Sequence, residues 1–252
     1  MLSSTLQPSN WFKQSGRAYA RFRPHYPPSL AKYLADQVSD HRLALDVGCG
    51  NGQLTELLAL HFATVIGLDS SAEQIAAATP HDRITYKCAS AEAFPLNDKS
   101  AGLITAAQAA HWFDLPAFYQ EAVRVGVPGA VVALISYGVL SMEPALNARF
   151  QKFYSQEIGP YWPPERKLVD GGYTTIAFPF EEITAPKLEI HHEWHLSQFL
   201  GYLLTWSAVS RANEAGKEDL LVNFATDIAE LWGDPNFKHS ISWPINMRIG
   251  TL

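Results

Sequence analysis

The chain of 252 residues is long enough to bury a full α/β core, and its formal charge of −6 with no long Lys/Arg run leaves no basic face for phosphates, which excludes nucleic acid as the expected partner. Cys49 and Cys88 are its only cysteines, too few for a disulfide framework and without metal-ligand spacing, so a reducing cytoplasm and no bound metal are expected. No basic head precedes an apolar segment near the start, and nowhere do about 18 apolar residues run together, so neither secretion nor a membrane span is expected.

In chain order, residues 11–28 come first and are dense in aromatic and proline residues, among them Trp11, Phe12, Tyr19, Phe22 and Tyr26. Two readings stand: a lid that closes with Tyr19 and Arg23 facing a ligand, or a strap docked permanently on the sheet edge. Short apolar runs then alternate with helical patterns, as parallel βαβ units do. Leu43 to Val47 reads as the first strand, and Leu54, Leu57, Leu58 and Phe62 mark one face of the helix that follows from Gln53. Thr64 to Leu68 is the second strand, closed by Asp69, with Ser70 or Ser71 placed to cap a helix over Ala72 to Ala78. Ile84 to Cys88, Gly102 to Ala106 and Ala130 to Tyr137 read as strands three to five, and Phe118, Ala122 and Val125 mark the helix between the last two. Beyond Tyr137 the pattern loosens: a helix over Pro144 to Gln156, an aromatic and Pro/Gly-rich stretch from Gly159 to Pro179, a strand over Lys187 to Trp194, helices over Gln198 to Val209 and Glu218 to Trp232, and a closing antiparallel strand over Ile241 to Ile249.

The chemistry concentrates at Asp46-Val47-Gly48-Cys49-Gly50-Asn51-Gly52, a glycine turn between a buried strand and a helix. Glycines there let a cofactor approach the backbone without Cβ clashes, and the helix start offers free N–H groups. The spacing is G-x-G-x-G with Gln at position 53, which departs from the dinucleotide fingerprint G-x-G-x-x-G. Asp69 at the second strand end is placed to accept from ribose hydroxyls, and Asp46 before the glycines suits the ammonium of a methionine moiety while repelling a pyrophosphate.

LDVGCGNG, VIGLDSS, AEAFPL and EAVRVGVPGA follow one another in the order and rough spacing of class I S-adenosylmethionine (SAM)-dependent methyltransferases, which residues 40 to 137 resemble. The resemblance implies SAM as cofactor, contacted by Tyr19, Arg23, Asp46, Gly48, Cys49, Gly50, Gly52, Asp69, Ser70, Gln74, Ser90, Ala91, Glu92 and Gln108. In the family an Asp is common near the Ala91-Glu92 segment and meets the adenine amino group; here Ser90 precedes it, so a hydroxyl or the backbone must supply that contact. Outside the common core, Tyr19-Ala-Arg-Phe-Arg23-Pro-His-Tyr26, Ala109-Ala-His111-Trp112-Phe-Asp114, Trp162-Pro-Pro-Glu-Arg166, Leu204-Thr-Trp-Ser207 and Trp243-Pro244 are similar to the trans-aconitate methyltransferase-like group, whose understood members methylate small molecules.

On the acceptor side the expected substrate contacts are Trp112, Tyr137, Trp162 and Arg166. A carboxylate acceptor arrives ionised and needs cationic anchors, for which Arg21, Arg23, Arg149, Arg166 and Arg211 are candidates, with surface ion pairing as the plainer account. A phenol, alcohol or amine acceptor needs a general base, and His111 after the fourth strand is the side chain for it; a structural histidine is the equal alternative. The expected fold is therefore a Rossmann-like, doubly wound, mostly parallel seven-stranded α/β sheet with an antiparallel last strand and helical, aromatic insertions in the C-terminal half. One domain is expected over residues 1–252, divided into an N-terminal lid or strap (1–40), a cofactor core (41–137) and substrate-side insertions with the closing strands (138–252). The expected activity is methyl transfer to a small molecule by a cytoplasmic monomer or homodimer, and the competing reading is a SAM-binding regulatory or scaffold protein without turnover.

Overall fold

The computed structural model describes residues 23–252. These fall into two compact units: a sheet unit of His25–Val139, Glu165–Ile190 and Pro244–Leu252, and a helical unit of Leu140–Pro164 and His191–Trp243 together with Arg23 and Pro24.

The sheet unit opens with helix α1 (Pro28–Asp36), started by a proline in its first turn and burying Leu30, Ala31, Leu34 and Ala35. Strands β1 (Leu43–Val47), β2 (Thr64–Asp69) and β3 (Ile84–Cys88) alternate with the short helices α2 (Gln53–Leu58) and α3 (Ala72–Ala76). Strand β4 (Ala101–Ala107), helix α4 (Leu115–Val125) and strand β5 (Gly126–Tyr137) follow, then α6 (Arg166–Asp170) and β6 (Glu181–Glu182) after the helix α5 described below. β4 and β5 are apolar almost throughout because both faces of a parallel sheet are covered. Ser71 caps α3 by accepting from the Gln74 N–H at 3.3 Å, and Asp114 caps α4 by accepting from the Ala117 N–H at 3.3 Å.

The sheet order is β3-β2-β1-β4-β5-β8-β6, where β8 is His239–Thr251. Strands β1 to β5 are parallel, and β8 runs antiparallel to β5 with Val131 opposite Thr251 and Tyr137 opposite Ile245. This is the mostly parallel sheet with an antiparallel closing strand that the alternation predicts, with eight strands in place of seven; β7 (Leu188–Trp194), expected from the sequence, pairs with β8. The extra strand in the count is β6, two exposed glutamates with no alternation to detect. Chain order reverses between β1 and β4, so their adjacent carboxyl ends form the crevice where open α/β sheets place ligands.

The helical unit contains α5 (Pro144–Lys152), which runs into a π turn over Phe153–Glu157, and α7 (Leu196–Leu203), α8 (Ser207–Glu214) and α9 (Asp219–Trp232). The helix expected over Gln198 to Val209 is two helices, interrupted where the Thr205 hydroxyl donates to the Tyr202 carbonyl at 2.7 Å. The unit's interior is aromatic: Phe153 stacks on Phe224 with centroids 4.2 Å apart, and Trp206 packs against Phe150, Tyr154 and Trp162. Among the described residues no helix is long and apolar enough to cross a membrane.

Candidate functional site

The glycine turn after β1 needs left-handed backbone at three positions, with φ of 68° at Gly48, 57° at Gly50 and 99° at Gly52. The reasons for glycine differ. A Cβ on Gly48 would collide with Ala109 and Phe113, and one on Gly52 with the ring of Tyr86. At Gly50 a Cβ would meet nothing among the described residues closer than the Gln74 amide oxygen at 3.9 Å, so these residues leave space above it for a ligand. The Cys49 N–H donates to Leu68 O at 2.9 Å, which ties the turn to β2. The Cys49 thiol is buried, and burial pushes its pKa up, which removes it as a nucleophile.

Two carboxylates flank this turn. Asp69 accepts from the Gly50 N–H and the Ser71 N–H, both at 2.8 Å, so one side chain fixes the loop and the start of α3. Asp46 is 1% exposed, with one carboxyl oxygen accepting from Thr55 Oγ1 and the other from Thr105 Oγ1, each at 2.7 Å. Burial raises its pKa to about 6, against the opposing effect of the two hydroxyls. Asp69 lines the cleft, whereas the buried Asp46, held by Thr55 and Thr105, is not among its lining residues.

The cleft itself has a volume of about 330 Å³. Gly48, Asp69, Ser70, Ser90, Ala91, Glu92 and Gln108, all expected at the cofactor site, line it together with Trp112. Ser90 donates its hydroxyl to Glu92, whose other carboxyl oxygen accepts from the Asp114 N–H at 3.1 Å. The segment that follows is clamped from α4: Glu121 accepts from the Phe94 N–H at 2.6 Å, and Arg124 donates to the carbonyls of Phe94 and Leu96. Gln108 turns the chain out of β4 in the left-handed region, φ 55°, and its side-chain amide donates to Tyr137 O at 3.2 Å. Gln74 faces the open side of Gly50.

The turn after Gln108 carries His111 and Trp112, the residues expected on the acceptor side. Trp112 is 60% exposed and lines the cleft beside Ala109 and Phe113. His111, partly buried, lies 4.8 Å from Trp112 between ring centroids, and its Nδ1 is 2.8 Å from the hydroxyl of Tyr173. Burial, with Arg166 nearby, brings the His111 pKa down to about 4, against a smaller opposite effect of Glu165.

Not all expected residues gather here. Tyr19 and Arg21 lie outside the described residues, as does most of the expected lid. Arg23 and Trp162 belong to the helical unit, where Trp162 packs on Tyr154 and Trp206. Arg149 pairs with Glu157 and Asp227 and lies over the Phe224 ring, a structural role in that unit. Tyr137 is buried and packs edge-on to Tyr26. Arg166 donates to Asp170 at 2.8 Å along α6. Among the described residues no His/Cys/Asp/Glu group could hold a metal ion. Sequence reasoning did not place Tyr86 at the site, and it named Tyr173 only as one aromatic of the irregular stretch that could cover the crevice; its pairing with His111 comes from the fold alone.

A family model described as a methyltransferase domain matches residues 45–134, the stretch from β1 into β5. A protein of Dictyostelium discoideum named as a methyltransferase is 36% identical over 214 residues, which is 83% of this chain and 81% of that protein. A solved structure from Anaeromyxobacter dehalogenans, described as a type II methyltransferase, matches with a TM-score of 0.86 at 42% identity, covering 91% of this chain and 98% of that one. The malonyl-[acyl-carrier protein] O-methyltransferase of a Marinomonas species is 29% identical over 175 residues, 66% of this chain and 65% of that protein.

Proposed function

The chain belongs to the class I SAM-dependent methyltransferases, and on that premise we propose that it methylates a carboxylate oxygen of a small molecule, as a member of the trans-aconitate methyltransferase-like group. The site fits the cofactor by its own geometry: the loop leaves space above Gly50, and the Asp69 carboxylate stands at the rim for the ribose hydroxyls. When bound, SAM supplies a sulfonium methyl whose S–CH₃ bond breaks as O–CH₃ forms, cancelling the sulfonium and carboxylate charges without release of a proton from the acceptor.

The observation that carries this reading is that the acid–base groups around the cleft are already engaged. Asp69 is spent on two backbone N–H groups, Glu92 on Ser90 and the Asp114 N–H, and one ring nitrogen of His111 on Tyr173. An acceptor that arrives deprotonated needs none of them as a base. Alignment and exclusion of water then do most of the work, and the exposed indole of Trp112 is the apolar wall available for it. The Marinomonas relative supports the same class, since its named activity is O-methylation of a malonyl group.

The test is to incubate the full chain with methyl-labelled SAM and a panel of small mono- and polycarboxylates, phenols and amines. Alkali should release the label as methanol, as methyl esters require. Label that is incorporated but stable to alkali would overturn the carboxylate assignment.

A further inference from the structure

We propose that His111 meets the acceptor as a neutral hydrogen-bond donor through Nε2–H, and that Tyr173 is the positioning residue that fixes this tautomer. The donor role rests on the carboxylate reading above; the tautomer does not.

The argument is one of proton accounting. Tyr173 is fully buried, and its hydroxyl lies 2.8 Å from His111 Nδ1, with the His111 backbone N–H as a further donor toward the same oxygen, so Nδ1 is the one acceptor among the described residues for the phenol proton. A neutral imidazole carries one ring proton. Were it on Nδ1, that N–H would donate to the phenol oxygen, and the phenol's own proton would be left without an acceptor where solvent does not reach. If the phenol donates instead, both groups are satisfied and the ring proton must sit on Nε2. Burial raises the Tyr173 pKa, which keeps the phenol protonated and able to donate.

The residue that performs this is itself held in an unusual conformation. Tyr173 has φ 61°, in the left-handed region that bulky side chains rarely enter, directly after Gly172 at the same angle. Its N–H donates to Leu168 O at 2.9 Å, and Arg248 from β8 donates to the carbonyls of Tyr173 and Ile176 at 3.2 and 2.7 Å. A local strain maintained by three such bonds aims the hydroxyl at one nitrogen.

The charged groups that act on His111 are Arg166 and Glu165 at the start of α6, besides Tyr173 and the Trp112 ring against it. Burial and Arg166 prevail over Glu165, so the ring stays neutral around pH 7. Nε2 has no partner among the described residues, and Trp112, the next residue, lines the cleft. A protonated Nε2 cannot take a proton from an acceptor; it can donate to the non-attacking oxygen of a carboxylate.

The experiment is long-range ¹H–¹⁵N correlation on the full chain labelled with ¹⁵N-histidine, the His111 signals being identified by their loss in His111→Gln. The expected result is a neutral, Nε2-protonated ring across pH 5.5 to 8, and in Tyr173→Phe a mixture of tautomers in a ring that burial and Arg166 still keep neutral. An Nδ1-protonated ring in the unmodified protein, titration within that range, or no response to Tyr173→Phe would overturn the tautomer. Kinetics then test the donor: His111→Ala should raise the acceptor KM roughly ten- to hundredfold, the equivalent of one hydrogen bond to a charged group, while His111→Gln, which keeps a neutral N–H, restores much of it. Loss of kcat to the same extent in both variants would overturn the donor role and point to proton abstraction. If the panel yields only alkali-stable products while the tautomer stands, the acceptor class fails and the Tyr173–His111 geometry does not.

Discussion

The turn after β1 and the turn after β4 leave neighbouring strands of one sheet, yet they treat their polar groups in opposite ways. After β1, the carboxylates of Asp46 and Asp69 are consumed internally, by two threonine hydroxyls and two backbone N–H groups, and three left-handed glycines complete a loop fixed before any ligand arrives. After β4, Gln108 turns the chain out, one nitrogen of His111 remains without a partner among the described residues, and Trp112 stands 60% exposed. The difference teaches how one fold serves many reactions. On the proposed assignment, the turn offered to the constant cofactor is preorganised and carries its rigidity in buried charge, and the turn offered to the variable acceptor keeps donors and apolar surface open.

The strongest way to break the comparison is to add a methyl group to the glycines. Gly48→Ala and Gly52→Ala combine a left-handed Cβ with collision against Ala109 and Phe113 or against Tyr86, and each should cost roughly 2–5 kcal/mol in urea unfolding. Gly50→Ala meets open space and should cost only about 1–2 kcal/mol of stability while sharply weakening S-adenosylhomocysteine binding in calorimetry. Equal stabilities for all three variants would show that the glycines are not required for separate reasons.

The buried charge gives a pH signature. The Asp46 pKa is raised to about 6 from an ordinary value of 3.8, so the folded state binds the extra proton between these limits. Its contribution to stability is full below the lower limit and is lost as pH rises through about 6, a change on the order of 3 kcal/mol. Asp46→Asn should therefore gain stability relative to the unmodified protein as pH rises from 4 to 7, whatever its constant offset. A parallel pair of stability curves would place the ionised carboxylate in a less costly environment than its burial suggests. His111 contributes in the opposite direction: its lowered pKa makes its share of stability fade as pH falls from about 6.5 toward 4, so the double variant with His111→Gln separates the two.

Asp69→Ala sharpens the comparison from the cofactor side. It removes the acceptor for the Gly50 and Ser71 N–H groups as well as the acceptor offered to a ribose, and SAM affinity should fall by roughly 1.5–3 kcal/mol in calorimetry. Unchanged affinity would mean that the loop is held, and the ribose bound, by something other than this carboxylate.

These effects were unequally legible in the sequence, for physical reasons. β1, α2, β2 and β3 leave strong local patterns, because apolar β-branched runs bounded by Gly, Asp or Ser need little tertiary context. Asp69 and the glycines were readable for the same reason. That Asp46 would be enclosed by Thr55 and Thr105 was not, since those residues lie 9 and 59 positions away in sequence and meet only when β1, α2 and β4 pack. Tyr173 is the extreme case: its conformation depends on Arg248 from β8, and no local pattern marks it. The break between α7 and α8 was hidden because Leu203 and Trp206 keep a helical period across it, both buried in the aromatic interior.

The smallest expected effect on stability comes from Trp112→Ala, and it separates the two turns most cleanly. An indole 60% exposed contributes little to folding, so unfolding should shift by no more than about 0.5 kcal/mol. If the turn after β4 serves the acceptor, S-adenosylhomocysteine affinity should also stay close to that of the unmodified protein, while the KM of a carboxylate acceptor rises as the apolar wall beside His111 is lost. Trp112 shares the cleft with Gly48, Asp69 and Ser90, so the opposite outcome has a definite meaning. A large loss of S-adenosylhomocysteine affinity with an unchanged acceptor KM would place the indole against the cofactor, and the division between a rigid cofactor turn and an open acceptor turn would then run between His111 and Trp112 rather than between β1 and β4.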